Sequence, residues 1–459
     1  MPGVKTTGLV RVELNHIADG TRRILKDTEG IFRDAVAYLV HVACDHLDEF
    51  DGLGSMQSVT RMEALVHHTD ANPFPEYEDF DTVFRDLPSY IRRAAIHAAC
   101  GHVQSHCTRC RQYYEKRDAA LARGWHYRKM EPRFTYTPNA CQTLYKKETF
   151  KRDGMGVRIK AYVNGTWNWI SVSIPWRDYK PLMEAASSGT LMNPKLVYEY
   201  HKFYLEFPVK YRCLPVQDTP LMQQKVLSVD RGFNHGAVCS IVDASGSVHG
   251  KFFDPFKADM GRIDHVIGLI RKKAASSGKG QSLSSLYTKL EGLKDNYAKQ
   301  LARWIVDMAI RGGCSGIVLE HLESVKRKSR KKRGPLKARV HHWTTAKIRD
   351  LVKGMAYRAG ILTYIINPKG TSMYAYDGSG LIKRDKGNHS LCTFLGGKRY
   401  NADLSASYNI GARYFIRAFK ISMKATLWSE LEANVPGLSK RTTWTLDTLR
   451  RLQAALAAA

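Results

Sequence analysis

The feature that most constrains the fold is a succession of short apolar runs in the second half of the chain. VLSVD, GAVCSIVD and VHGKFFD follow one another through brief turns, whereas GIVLEHL and GILTYIINP are reached only through long helical stretches. Strands joined by tight turns pair antiparallel, and strands that return through a helix pair parallel. The order therefore predicts an α/β domain with a mixed sheet, beginning near Lys225. From residue 258 to 311, Ile263, Ile267, Ile270, Leu286, Leu290, Leu293, Trp304 and Met308 recur at helical spacing around a break at Gly278–Gly280. That spacing predicts a helical hairpin lying over the sheet.

The first half has a different texture. After a leading strand, VRVEL, the spacing of Phe32, Val36, Leu39, Ala43 and Leu47 predicts an amphipathic helix from Ile31 to Phe50. A second long helix is expected from Pro88, tolerated in a first turn, to Gly124. VRIKAYV and WISVSI then alternate apolar and polar residues on either side of Asn164-Gly165, the dipeptide suited to a tight hairpin. A further alternating run, Phe203 to Val209, ends before the Pro-containing connector CLPVQDTPLMQQK, which reads as a domain boundary. There is no internal repeat.

With 459 residues, 44% of them hydrophobic, the chain has apolar material for two or three domains and is not a disordered polyelectrolyte. Lys and Arg number 71 against 43 Asp and Glu, a net charge of +28, which favours a polyanionic partner. No run approaches the roughly 18 apolar residues of a membrane helix, and MPGVKTTGLV lacks the order of a secretory signal, so a cytoplasmic protein is expected. Nine cysteines, an odd number, are read as reduced thiols.

Three carboxylates stand at the ends of these elements: Asp230 in VLSVDRG, Glu320 in GIVLEHLES, and Asp403 in YNADLSASYNIGARY at the start of a helix. Taken singly, each reads most simply as a solvated strand end or a helix cap. Together they read otherwise. Asp230 and Glu320 each close an apolar run, where an unpaired charge is costly, so both require a metal or a basic partner. Hydrolysis of a phosphodiester with two divalent ions needs such hard oxygen ligands on a rigid scaffold, with the metals about 4 Å apart.

The order of an Asp in a first strand, a Glu closing a later strand, a Trp-containing helix, a strand ending in NPKGTS and then NADLSASYNIGA resembles the RuvC-like nuclease domain of transposon-encoded TnpB proteins and of compact type V CRISPR effectors. The motifs cover residues 225 to about 418; residues 1–224 match in layout. The resemblance implies an RNase H-like α/β nuclease domain of RuvC type, preceded by a β-rich wedge domain with an inserted helical recognition lobe. On that reading residues 1–30 and 126–224 form the wedge and 31–125 the helical lobe. The nuclease domain spans 225–420, with a degenerate zinc-finger-like insertion at 368–402, and 421–459 is a helical tail. The implied activity is RNA-guided endonucleolytic cleavage of DNA, with Asp230, Glu320 and Asp403 binding two Mg²⁺ ions, or Mn²⁺ in their place. The implied partners are a guide RNA and a target DNA, with no membrane, near the nucleoid. Base pairing would then supply the sequence reading. An RNA-guided DNA-binding protein that does not cut remains the alternative, as does a general RNA-binding protein. Transposon and CRISPR association are not distinguished.

Two departures from that family stand out. Its usual pair of Cys-X-X-Cys motifs before the third acid is missing, since residues 370–402 contain only Cys392, so no structural zinc is expected there and a metal-free hairpin is. The family's usual Leu after the first acid is Arg231, which adds a cation beside the proposed metals.

Other signals admit bland readings. The run Lys326, Arg327, Lys328, Arg330, Lys331, Lys332, Arg333, Lys337 and Arg339 holds nine bases and no acid; it is either a solvated loop or a phosphate contact, and its place after Glu320 favours contact. His102, His106 and Cys110 form one helical stripe beside Cys107, which fits either a zinc site or, more simply, a packed helix face. Trp167, Trp169, Trp176, Tyr198, Tyr200, Phe203 and Tyr204 crowd the β-rich region, where such rings fill a sheet face or stack on unpaired bases. His341, His342 and Trp343 read as packing and capping groups.

Overall fold

The computed structural model describes residues 6–14, 17–84, 86–136, 139–199, 201–216, 218–232, 236–276, 283–321, 345–388 and 390–458. They divide into two compact units, Thr7–Tyr211 and Arg212–Ala459. The break falls at the start of the Pro-containing connector rather than after it. Leu214 donates its backbone N–H to the carbonyl of Arg358 (3.0 Å), tying the connector into the second unit. Among the described residues no helix is long and apolar enough to cross a membrane.

The first unit contains helices α1 (Asp19–Asp45), α2 (Leu47–Phe50), α3 (Ser55–Val66), α4 (Asp79–Val83), α5 (Ser89–Leu121) and α6 (Trp176–Ser188). Phe32, Leu39, Met62, Ile91 and Val103 meet in the core between α1, α3 and α5. The helix expected from Ile31 begins twelve residues earlier, so no element boundary falls at residue 30. Periodicity missed that start because the buried face there is partly polar. Thr28 donates to the Ile24 carbonyl (2.7 Å) and accepts from the Tyr162 N–H, while Glu29 accepts from Arg33 (2.7 Å).

Two sheets complete this unit. In the first, β7 (Lys202–Tyr211) pairs with β1 (Thr6–Glu13), β5 (Gly189–Leu191) and β6 (Lys195–Glu199). The second is a meander of β2 (Phe150–Asp153), β3 (Gly156–Val163) and β4 (Thr166–Ser173). Asn164 and Gly165 both take positive φ, 49° and 84°, the backbone a two-residue turn between β3 and β4 demands.

The second unit is mixed α/β. Its sheet runs in the order β10 (Val248–Phe253), β9 (Val238–Asp243), β8 (Lys225–Asp230), β11 (Gly316–Glu320), β12 (Leu362–Ile366). β8, β9 and β10 pair antiparallel, while β11 lies parallel to both β8 and β12. Helices α7 (Lys257–Ser276), α8 (Ser284–Arg311) and α9 (Thr345–Arg358) precede β12, and α10 (Ala402–Ser422), α11 (Ala425–Asn434) and α12 (Leu446–Ala458) follow it. Leu227, Val229, Ile317 and Leu319 pack with α8 and α9. Val226, Val318 and Val242 pack on the opposite face with Tyr408 and Phe415 of α10. The C-terminal segment, expected as a tail, contributes Trp428, Trp444, Leu446 and Leu449 to that same core.

A small sheet of β13 (Lys383–Arg384), β14 (Leu391–Thr393) and β15 (Arg399–Asn401) leads into α10. Cys392 and Phe394 are buried with Tyr376 and Tyr400 against them. The Lys398 ammonium lies over the rings of Tyr376, Tyr400 and Phe394, 5.0, 5.4 and 5.9 Å from their centroids. Aromatic and cation–π contacts are thus what closes this segment.

Candidate active site

Strand periodicity aims the first two acids. Along β8, Leu227 and Val229 face α8 and α9, so Val226, Ser228 and Asp230 face α10. Along β11, Ile317 and Leu319 face α8 and α9, so Val318 and Glu320 face α10 as well. The two strands are parallel and adjacent, with Leu319 beside Val229, so Asp230 and Glu320 leave the sheet together at its C-terminal edge.

The third acid is delivered by α10. Asn401 caps the helix, its side-chain oxygen accepting from the Leu404 N–H (2.8 Å), and Asp403 sits in the first turn. The helix lies close on the sheet because it meets it with small groups. The Ser407 hydroxyl bonds that of Ser240 (3.0 Å), which bonds that of Ser228 (2.8 Å). A Cβ at Gly411 would stand 2.9 Å from the Val242 Cβ, so only glycine permits this approach. Asp230 and Asp403 are each 8% exposed.

Burial and mutual repulsion govern the charges. Desolvation, then the nearby Glu320 and Asp403 carboxylates, push Asp230 well above the ordinary aspartate range, against the smaller opposing pull of Arg384. Desolvation pushes Glu320 up to about 7, against the Thr371 hydroxyl, which donates to its Oε1 (2.6 Å), and the Arg413 charge. The Arg384 guanidinium stands 3.7 Å from Asp403 Oδ1. The structure therefore brings Glu320 and Asp403 within electrostatic range of Asp230.

Sequence reasoning missed the residues that support the three acids. Arg413, 4% exposed, donates to the carbonyls of Asn367 (3.1 Å), Lys369 (2.8 Å), Thr442 (2.9 Å) and Trp444 (3.3 Å). Asn409 donates to the carbonyls of Thr371 (3.0 Å) and Tyr374 (2.9 Å) and accepts from the Leu446 N–H (3.1 Å). Both fix the NPKGTS loop that carries Thr371. The available signal was the row of polar residues inside a helix otherwise apolar all round. Arg231, the expected extra cation, is buried, its guanidinium lowered to about 10 by desolvation and supported by Tyr297 and Asp230.

Three carboxylates, which offer hard oxygen donors and negative charge, suit Mg²⁺ or Mn²⁺ in kind and charge. Asp230 closes a strand among buried residues, where a cation would offset its cost. Among the described residues, however, no group of three or more His, Cys, Asp or Glu side chains is already drawn together as a metal-binding shell. The Arg384 guanidinium stands against an Asp403 oxygen and the Thr371 hydroxyl donates to a Glu320 oxygen.

The His–Cys stripe on α5 behaves as packing. The His106 ring meets Phe134 edge-on at 5.2 Å, His102 meets Tyr136 in the same way at 5.2 Å, and Cys110 Sγ lies 3.4 Å from His106 Nε2. The basic run, Lys326 to Arg339, and His341, His342 and Trp343 lie outside the described residues.

A family model described as the Aq_aa04 family matches residues 9–163. The CRISPR-associated endodeoxyribonuclease Cas12f1 of Syntrophomonas palmitatica is 24% identical over 252 residues, 50% of this chain and 46% of that protein. The match thus spans about half the length of the curated relative. Among solved structures, a Cas12f1–sgRNA–target DNA complex shares 13% identity over 88% of this chain and 98% of that one, with a TM-score of 0.32. The mini-RNA-guided endonuclease CRISPR-Cas_phi3 shares 11% over 88% and 92%, with a TM-score of 0.49. The chain is similar to compact type V CRISPR effectors, the group its motifs resemble.

Proposed function

We propose that this chain is an RNA-guided DNA endonuclease whose second unit is an RNase H-like, RuvC-type domain hydrolysing phosphodiesters with Mg²⁺. One observation carries the reading. Asp230, buried, and Glu320, half-buried, end adjacent parallel strands, and Asp403 sits buried in the first turn of the helix packed on them; desolvation opposes the charge of the first two, and the other two carboxylates oppose that of Asp230 as well. A purely structural site has no reason to gather such groups; a site for divalent cations does. The strand order, with two antiparallel pairings followed by two parallel ones, supports the RNase H-like assignment. The N-terminal unit, with its helices and β-rich part, takes the place of recognition lobe and wedge. The relative's name, an endodeoxyribonuclease, supports the activity, and the sgRNA and target DNA of the similar structures support the partners.

Asp230, Glu320 and Asp403 would hold the ions. When bound, Mg²⁺ supplies a Lewis acid and a water made nucleophilic near neutral pH. The protein's part would be to present ionised oxygens, and because burial raises Asp230 and Glu320, both would have to give up a proton to serve as ligands. Thr371 orients the Glu320 carboxylate, and Arg413 holds the loop that carries Thr371. No covalent intermediate is required, so no nucleophilic Ser, Cys or Tyr has to stand in the site.

The test uses RNA-loaded protein and DNA matching the copurified RNA. Asp230→Asn and Asp403→Asn should lower cleavage at least about 10³-fold while leaving the mobility shift of bound DNA in place. Undiminished cutting by either variant would overturn the assignment. One observation favours the non-cutting alternative: Arg384 against Asp403 would neutralise a disused site. If the wild type shifts DNA but leaves it intact at all Mg²⁺ and Mn²⁺ concentrations, that alternative holds.

A further inference from the structure

We infer that the outward face of the β2–β3–β4 sheet is a docking surface for an unpaired stretch of RNA, with a base on Trp169 and phosphates on Lys151, Arg158 and Lys160.

The inward face of this sheet is apolar. Val157, Ile159, Ala161 and Val172 are buried, the first two and Val172 within the core that also holds Leu25, Phe150 and Phe207. Alternation sends Arg158, Lys160, Trp169 and Ser171 to the other side. Cross-strand register gathers them, with Lys160 opposite Trp169 and Arg158 opposite both Ser171 and Lys151. The Lys151 ammonium lies 4.5 Å from the centroid of the Trp169 ring and the Arg158 guanidinium 5.9 Å from it. Asp153, on the same face at the end of β2 opposite Gly156, is two residues from Lys151, roughly 7 Å, and four along β3 from Lys160, roughly 13 Å, so it borders one end of the cluster.

A ring on a sheet is usually packing, and its neighbour Trp167 illustrates that case. Trp167 meets Tyr162 edge-on at 5.5 Å and packs against the helical core. Trp169 has cations for company instead, and cations gathered on adjacent strands repel one another unless a polyanion joins them. Trp169 is half-buried, its ring open in part to solvent; a cation over a surface ring favours its contact by about two- to fivefold in equilibrium terms, whereas a stacked base is worth about five- to 150-fold. A base therefore wins the ring, and the flexible cations it displaces are left beside its phosphates. Unpaired RNA, whose bases stack on aromatic rings beside basic groups, fits this chemistry. The choice of RNA as occupant rests on the guided reading above, in which the protein carries an RNA.

The experiment is fluorescence anisotropy of full-length protein with a labelled, unstructured oligouridine of about 15 nucleotides, with oligodeoxythymidine of equal length as the second arm. Trp169→Ala should weaken oligouridine binding about five- to 150-fold, and Trp169→Phe, which keeps an aromatic face, should restore most of it. The triple variant Lys151→Gln, Arg158→Gln, Lys160→Gln should flatten the salt dependence by about two log units per log unit of salt. Photocrosslinking with 4-thiouridine should mark the tryptic peptide Ala161–Arg177. The proposal is overturned if Trp169→Ala, folded by circular dichroism, binds as the wild type does, if the triple variant leaves the slope unchanged, or if the DNA arm binds more tightly than RNA. Oligouridine binding is read without any cleavage, so failure of the nuclease reading, shown by undiminished cutting in Asp230→Asn, is told apart from failure of this one, shown by undiminished binding in Trp169→Ala.

Discussion

Four backbone carbonyls converge on the guanidinium of Arg413, drawn from the NPKGTS loop and from the segment before α12. Removing a buried donor leaves acceptors unsatisfied at about 1–3 kcal/mol each, so Arg413→Met should cost about 3 kcal/mol or more, some 6–12 °C in the melting temperature of this unit. Differential scanning calorimetry checks it. Glu320 sets a pH dependence. Its folded value of about 7 lies above the unfolded value of roughly 4.3, so between these the native state holds a proton that the unfolded chain has released. The stabilisation from that proton is present at low pH and is lost as pH rises through about 7. In chelator-containing buffer the urea midpoint should therefore fall between pH 5.5 and pH 8, by on the order of 2 kcal/mol in stability, and Glu320→Gln should flatten the decline. At this scale the sequence was most informative about acids that interrupt apolar strands. Thr371 and Arg384 were illegible because each acts from a loop or short strand whose return to the site depends on packing elsewhere.

The contact between α10 and the sheet depends on the absence of a side chain at Gly411 and on small hydroxyls at Ser228, Ser240 and Ser407. Gly411→Val should push the helix off Val242, costing about 1–3 kcal/mol, and carry Asp403 out of range of Asp230. Cleavage should then fall far more than stability, a split that parallel activity and melting assays would show. The segment before α10 makes the complementary point, being closed by Tyr376, Phe394, Tyr400 and Lys398. Excess chelator should leave its melting unchanged, whereas Tyr400→Ala should lower it; a chelator-induced loss would mean that a metal holds it after all. Strands β8, β9 and β11 were legible because buried strands read as near-continuous apolar runs, and the β3–β4 hairpin because Asn-Gly states its own turn. The start of α1 was not, because Thr28 and Glu29 are buried through hydrogen bonds, which periodicity of apolar residues does not register.

Each of the two units carries its own apolar cores, one around Phe32 and Met62 with another around Phe150 and Phe207, the other on both faces of the five-stranded sheet. Calorimetry of the full chain is expected to resolve two transitions, and Arg413→Met should move only the one belonging to Arg212–Ala459. A single concerted transition that shifts as a whole would contradict this independence. Sequence fell short over the C-terminal segment: a helix after the last strand looks peripheral when nothing in its own periodicity names the surface it meets, yet Trp444 and Leu449 are core residues. The parallel pairing of β8 with β11 also has a consequence in time. A ribosome that has just made Asp230 must add 173 further residues before Asp403 exists, about ten to thirty-five seconds at ordinary bacterial elongation rates. On the nuclease reading proposed above, a copy that ends before residue 403 would lack one of the three acids and would not cut.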